Sequence, residues 1–150
     1  MEIRKLPDHI YDELCAYGEK YRAAKAIGDI EKAEDYLSKL WLAMPEPKYF
    51  WDWSQSIIKS IAEFYFEEKN YTEAEKWAKQ LFNCQVAPGD AGPYIITGKI
   101  YLESGNEALA TEYLTKAVKL AGRRGFFGEN PKYLKYAQQR TRQLNSATNN

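Results

Sequence analysis

The amino-acid sequence predicts an all-α fold in which pairs of helices repeat, and three observations support this prediction. Apolar and small residues recur at helical spacing along most of the chain. One pattern of small and aromatic residues recurs at an interval of 36 residues, and a weaker copy lies a further 41 residues back. No stretch alternates between apolar and polar residues with a period of two, so we expect no sheet.

The repeat combines small residues with large ones at fixed intervals. Its most complete copy consists of Gly98, Tyr101, Gly105, Ala110, Leu114 and Ala117. The two preceding copies consist of Ala62, Tyr65, Ala74, Ala78 and Leu81, and of Tyr21, Ala24, Ala33, Leu37 and Leu40. Small residues such as Gly98 and Ala110 would allow the two helices of a pair to pack closely. The earliest copy departs from this pattern, because the bulky Tyr21 stands where the others have a small residue.

Seven helices follow from the periodicity and from the residues that start or stop it. We place them at about 8–27, 30–43, 50–68, 71–84, 91–104, 107–121 and 131–144. The first helix follows Pro7, Gly28 ends it, and Asp29 is positioned to cap the second. The second helix stops before Pro45 and Pro47, which cannot continue it.

The later boundaries have equally local signals. Asn70, near the turn position that Gly105 holds in the next copy, is spaced with Glu73 as a capping box for the fourth helix. Pro93 lies in the first turn of the fifth helix, and Asn130-Pro131 begins the seventh. The apolar face of the seventh helix consists of Tyr133, Leu134, Ala137, Thr141 and Leu144. Its polar opposite face predicts a cap on the open end of the repeat array.

Length and composition restrict the class of protein. A chain of 150 residues favours one domain, which we place at residues 1–145, followed by a disordered tail at 146–150. A formal charge of zero argues against a dedicated nucleic-acid-binding protein. No apolar run suits a membrane helix, and no apolar segment near the first residue suits a signal peptide. The two cysteines fit a reducing compartment, so we expect a cytoplasmic protein.

The sequence contains no recognisable catalytic set. His9 is the single histidine, and no nucleophile accompanies it. Cys15 and Cys84 are far apart in the sequence and suit core positions. No cluster has metal-ligand spacing, and no glycine-rich phosphate-binding loop is present. We therefore expect a protein that is not an enzyme and that has neither cofactor nor metal.

Charge and aromatic residues are unevenly distributed. Residues 1–119 hold 15 basic and 20 acidic side chains, whereas residues 120–150 hold 6 basic and 1 acidic. The acidic body suggests a basic partner, although helices also vary in charge by chance. Four aromatic residues lie at positions 49–53, behind the two prolines. They either cover the joint between the first two repeats or, through Trp51 and Trp53, provide anchors for a partner.

Two segments, together with the repeats between them, resemble a known family. The first is Leu40-Trp41-Leu42-Ala43-Met44-Pro45-Glu46-Pro47-Lys48, and the second is Gly128-Glu129-Asn130-Pro131-Lys132-Tyr133-Leu134. The repeat itself is similar to the tetratricopeptide repeat (TPR), over roughly residues 14–122. The whole resembles small bacterial TPR-like immunity proteins encoded beside polymorphic toxins, including Rhs-type toxins. The fold that this resemblance implies is a TPR-like α-solenoid of about three helix pairs with a capping helix.

The resemblance implies a cytoplasmic antitoxin that binds a cognate toxin domain and occludes it, without nucleic acid or membrane. A TPR chaperone or adaptor that binds a secreted or extended segment is the alternative, and the oligomeric state is left open. In repeat scaffolds of this kind the first helix of each pair lines the concave face. Together with the two tryptophans, this register gives the predicted contact residues Glu19, Arg22, Trp51, Trp53, Lys59, Glu63, Phe66, Lys99, Leu102 and Glu103.

Overall fold

The computed structural model of the chain describes residues 2–148, and over this range the fold is all-α, as predicted. The helices are α1 (Asp8–Ala26), α2 (Ile30–Ala43), α3 (Ser54–Glu67), α4 (Tyr71–Gln80), α5 (Gly92–Glu103), α6 (Glu107–Ala121) and α7 (Pro131–Thr148). Short 3₁₀ turns occupy Leu81–Asn83 and Gly122–Phe126. Residues 2–148 contain no β-strand, and a single isolated β-bridge joins Arg4 and Trp51.

The helices form three pairs, α1–α2, α3–α4 and α5–α6, and α7 packs against α6. We call α1, α3 and α5 the A helices and α2, α4 and α6 the B helices. The repeated small residues of the B helices, Ala33, Ala74 and Ala110, are fully buried. A Cβ atom added to Gly98 on α5 would lie 2.6 Å from Leu114 Cγ on α6. Small residues therefore set the close approach within pairs, as the repeat predicts.

The same turn joins the helices of each pair. The turn has three residues, and the middle one has a positive φ of 76° at Gly28, 60° at Lys69 and 88° at Gly105. The next residue is the N-cap of the B helix, and the side chains of Asp29, Asn70 and Asn106 accept a backbone N–H three residues later. The N–H of each cap donates to a carbonyl five residues back on the A helix.

This turn corrects two details of the prediction for α4. Lys69, and not Asn70, occupies the position of Gly105, and it is the one described residue other than glycine with a positive φ. The Asn70 cap is confirmed, but its own N–H donates to Tyr65 O at 2.9 Å rather than to the Glu73 side chain. The A-helix carbonyl therefore takes the place that glutamate has in a capping box.

Three helix ends differ from the predicted bounds. Helix α3 begins at Ser54 rather than near residue 50, because residues 50–52 extend along the N-terminal segment, where Arg4 N–H donates to Phe50 O at 2.7 Å. Helix α4 ends at Gln80 and continues as a 3₁₀ turn. Helix α7 reaches Thr148, since no glycine or proline follows position 144 to stop it. Residues 146–148 of the predicted tail are thus helical, and the tail's last two residues, 149–150, lie outside the described range.

The core consists of three apolar clusters, each formed by one helix pair and the next helix along the array. The first joins α1, α2 and α3 with Leu6, the second joins α3, α4 and α5, and the third joins α5, α6 and α7. The rings of Trp41 and Trp77 contact both the first and second clusters and meet edge to face at 5.4 Å. In the third cluster Tyr133 and Ala137 of α7 are buried, so α7 covers the end of this core.

Candidate protein-binding surface

The A helices carry eight of the ten predicted contact residues, on what we call the A-helix face: Glu19, Arg22, Lys59, Glu63, Phe66, Lys99, Leu102 and Glu103. Two grooves lie along this face. The first has a volume of about 350 Å³ and is lined by residues of α1, α2 and α3 together with Trp53. The second has a volume of about 400 Å³ and is lined by Lys59 and Glu63 of α3, by residues between 89 and 96, and by residues between 121 and 129. Five of the ten predicted residues thus line a groove: Glu19, Arg22 and Trp53 the first, and Lys59 and Glu63 the second.

Lys99 is held in place by its neighbours rather than free. Its ammonium lies 5.2 Å from the ring centre of Phe66 and 5.4 Å from that of Tyr133. Its Nζ is also 2.7 Å from Glu129 Oε2, and the side chain is 14% exposed. These contacts tie together α3, α5 and α7. Lys99 and Phe66 therefore stabilise the joint between helices and expose only part of their surface to a partner.

Glu103 belongs to a second such joint. Its carboxylate accepts the hydroxyl of Tyr133 at 2.8 Å and pairs with Lys132. The hydrogen bond from Lys132 lowers the pKa of Glu103, against the opposing effect of burial. Burial, followed by the hydrogen bond to Glu103, raises the pKa of Tyr133. The pair thus holds α7 against α5 with an ionised carboxylate and a neutral phenol.

The predicted aromatic anchors pack against the N-terminal part of the chain. Trp51 is half-buried, and its indole Nε1–H donates to Pro45 O at 2.8 Å. Its backbone N–H donates to the hydroxyl of the buried Ser54 at 3.0 Å. Trp53 meets the ring of Tyr11 edge to face at 4.9 Å and lines the first groove. The structure therefore places both rings in the joint between repeats, and Trp53 also borders the A-helix face.

Two of the three cations of the A-helix face are already paired. Lys59 lies 3.9 Å from Glu63, and Lys99 is paired with Glu129 as described. Beside the face, Lys25 Nζ of α1 lies 2.7 Å from Glu67. The third cation of the face, Arg22, has no ion pair with any residue in the range 2–148. The face is thus nearly neutral and charge-matched before any partner binds.

Sequence reasoning missed the contribution of the link between α6 and α7. Arg124 and Phe127 line the second groove, and the side chain of Phe127 is 94% exposed. The sequence treats residues 122–128 only as a glycine- and arginine-rich connection, because periodicity carries no information outside a helix. The adjacent doublet Phe126-Phe127 was the available signal, since one ring of such a pair commonly faces away from the core.

No cluster of three or more His, Cys, Asp or Glu side chains that could hold a metal occurs among residues 2–148. Burial raises the pKa of the Cys84 thiol to about 11, so this thiol stays protonated at neutral pH. None of the described helices is both long and apolar enough to span a bilayer.

Comparisons with known proteins agree with this geometry. Residues 92–123, which comprise α5, α6 and the first residues of the link, match the tetratricopeptide repeat family. The fold is TPR-like. The N-terminal domain of stress-induced protein-1 (STI-1) from C. elegans aligns with a TM-score of 0.63 over 88% of this chain and 97% of that chain. Its sequence identity of 16% limits the likeness to the fold. Among curated proteins, no significant sequence match is found.

The TPR-like register explains why the first pair differs from the third. Tyr21 occupies the position that is Ala62 in the second repeat and Gly98 in the third. Its ring lies 6.3 Å from that of Phe64 and is half-buried in the first cluster. The bulky residue thus packs toward α3, where the third repeat has a close contact between α5 and α6.

Proposed function

We propose that this TPR-like protein is a bacterial cytoplasmic immunity protein that binds a cognate toxin domain and neutralises it by occlusion. The TPR-like fold itself indicates a role in protein–protein interaction. The observation that carries the more specific proposal is that the A-helix face is preformed and internally charge-matched. The contact residues on this face are the eight predicted ones, with Phe66 as the expected aromatic anchor.

A preformed face favours a folded partner over an extended one. Lys25, Lys59 and Lys99 are committed to carboxylates of the same chain, so an acidic peptide would have to displace these pairs. An extended peptide must also lose conformational freedom when it binds, which weakens its affinity. A folded domain avoids both costs if its shape matches the two grooves.

Neutralisation by occlusion also requires that the protein bind the toxin domain with high affinity. The complex has to outlast encounters between the toxin and its target, which requires a nanomolar or tighter dissociation constant, about −12 kcal/mol. Interfaces of this strength commonly bury roughly 1,600 Å² of total surface. The excess of 20 acidic over 15 basic side chains in residues 1–119 favours a basic toxin domain and accelerates its association at low salt.

The test is co-expression of the protein with the toxin domain encoded next to its gene, followed by titration of the purified, folded toxin domain at two ionic strengths. We expect growth to be rescued, one-to-one binding at nanomolar affinity, and an association rate that falls as salt increases. Failure to bind the folded domain, together with micromolar binding of unfolded segments, would favour the chaperone or adaptor function instead.

Matched variants locate the binding face. Glu19→Lys with Glu63→Lys places two cations on A helices, where they would repel a basic toxin domain, and we expect at least a tenfold loss of affinity. Glu31→Lys with Glu73→Lys makes the same charge change on B helices. Glu63 and Glu73 each lie one helical turn from a lysine partner, so each double variant breaks one such pair. Equal affinity losses in both variants would contradict binding through the A-helix face.

A further inference from the structure

We propose that Phe127 and Arg124, on the link between α6 and α7, anchor the partner, and that the partner offers an apolar pocket with carboxylates at its rim. This inference rests on the proposed function and identifies the chemistry of the partner surface. It concerns residues outside the predicted contact set. The link, residues 122–128, lies beside the second groove, opposite Lys59 and Glu63 of the A-helix face.

The link holds Phe127 in a fixed position. The neighbouring Phe126 is 5% exposed and packs into the third cluster. A Cβ atom added to Gly125 would lie 2.8 Å from Ala121 Cβ and 3.5 Å from Ala91 Cβ, so the link is pressed against α5 and α6. Phe127 N–H donates to Arg124 O at 3.1 Å. The following residues are tied by the Glu129–Lys99 ion pair.

A phenylalanine whose backbone is held in place while its ring lies in solvent has no structural role in the isolated chain. Phe127 is 94% exposed and contributes almost nothing to the core, whereas the neighbouring Phe126 is buried in it. Single exposed apolar residues are common, but this one stands on a groove wall with an arginine. Aromatic residues and arginine are the types enriched where interfaces bind most strongly. Because the backbone at Phe127 is already held, binding costs mainly the rotamer freedom of one side chain.

The charges around Phe127 indicate which groups the partner should carry at the rim of its apolar pocket. Arg123 and Arg124 are exposed, and neither has an ion pair with any other residue between 2 and 148. The acidic side chains that line the same groove are engaged elsewhere: Asp90 accepts Gly92 N–H at 2.8 Å, Glu63 pairs with Lys59, and Glu129 pairs with Lys99. The two arginines therefore remain available to partner carboxylates.

The affinity test uses the neighbouring toxin domain and compares the parent protein with four purified variants. We expect Phe127→Ala to weaken binding at least tenfold and Phe127→Leu, which keeps an apolar side chain, to weaken it less than threefold. We expect Arg124→Ala to weaken binding at least threefold, and to reduce its salt dependence. The matched control is Leu42→Ala on α2, which removes an apolar side chain that is 75% exposed. Thermal melting should be the same for Phe127→Ala and the parent, because this ring packs against little.

A photo-crosslinking arm separates this inference from the proposed function. The photoreactive p-benzoylphenylalanine is placed at position 127 or, as control, at position 42 in cells that make the protein. We expect a specific crosslink at 127 alone, to a protein that, once purified, binds the Phe127→Ala variant at least tenfold more weakly. If the toxin domain does not bind but this pattern holds, the proposed function fails and the anchor stands. Phe127→Ala affinity within twofold of the parent, or no crosslink at 127 above that at 42, overturns the anchor.

Discussion

The first and third helix pairs solve the same packing problem in opposite ways. In the α5–α6 pair, Gly98 leaves room for Leu114, and the two helices approach closely. In the α1–α2 pair, Tyr21 takes the equivalent position and packs toward Phe64 of the next pair. The first pair also receives Leu6 from the N-terminal segment and is followed by the longer spacer with its aromatic cluster. A repeat can therefore lose its small residue where extra chain is available to fill the space around it.

The largest expected effect on this comparison comes from replacing Gly98, the small residue of the third pair, by leucine. A leucine there would place its Cβ within 2.6 Å of Leu114, which is fully buried and has no room to move. Overpacking of this kind costs about 1–3 kcal/mol, and we expect the upper end of that range. The measurement is chemical denaturation of the parent protein and of the Gly98→Leu variant, with unfolding monitored by circular dichroism.

A conservative substitution at Tyr21, the equivalent position of the first pair, is the control for that experiment. Tyr21→Phe keeps the ring that packs near Phe64, and should shift the unfolding free energy by less than about 0.5 kcal/mol. If Gly98→Leu were as mild as Tyr21→Phe, small residues would not set the spacing of the third pair.

The aromatic joint beside the first pair depends on one buried hydroxyl. Ser54 is 1% exposed, accepts Trp51 N–H and donates to Lys48 O. Ser54→Ala leaves both backbone groups without this partner, so we expect a loss of about 2 kcal/mol in unfolding free energy. Trp fluorescence during denaturation reports the change, since Trp51 and Trp53 flank the site. An unchanged midpoint would show that the joint does not depend on this hydroxyl.

A smaller and opposite effect is expected at the turn of the middle pair. Lys69 has a positive φ of 60°, at the position that glycine occupies in the other two turns. The left-handed backbone costs an L-residue about 1–2 kcal/mol, whereas the extra chain entropy that glycine loses costs about 0.5–1 kcal/mol. Lys69→Gly should therefore raise the unfolding free energy by about 0.5–1 kcal/mol. Lys76→Gly on the neighbouring helix should instead lower it, by about 1 kcal/mol. A destabilised Lys69→Gly protein would contradict the shared turn.

The smallest expected effect is on the stability of the protein at low pH. The folded pKa of Glu103 is lowered, so its contribution to stability is complete above the pKa of the unfolded chain and is lost as pH falls through the folded pKa. Glu103→Gln should therefore remove part of the acid sensitivity below about pH 4.5, by less than about 1 kcal/mol because the group is partly exposed. Stability measured from pH 7 to pH 3 tests this, with Glu107→Gln as the more exposed comparison.

Local signals in the sequence were sufficient to predict all seven helices and the N-caps of the B helices. Asp29, Asn70 and Asn106 each act within three residues of themselves, and the small residues repeat at intervals that a single sequence reveals. The start of α3 was not predictable in this way, because Arg4, some 46 residues earlier, holds residues 50–52 extended. The surface was least predictable, because the ion pairs Lys25–Glu67 and Lys99–Glu129 join residues that are distant in the sequence. The exposure of Phe127 depends on how its link packs.

The separation of Phe127 from the core has an evolutionary consequence. Arg123, Arg124 and Phe127 face solvent, while Phe126 and Gly125 hold the link in place. Substitutions at the three outward positions therefore leave folding nearly unaffected, and selection can vary them without crossing the stability threshold that restricts most mutations. Partner choice can thus diversify among descendants of one scaffold, and a library randomised at these three codons would sample new specificities with few unfolded members.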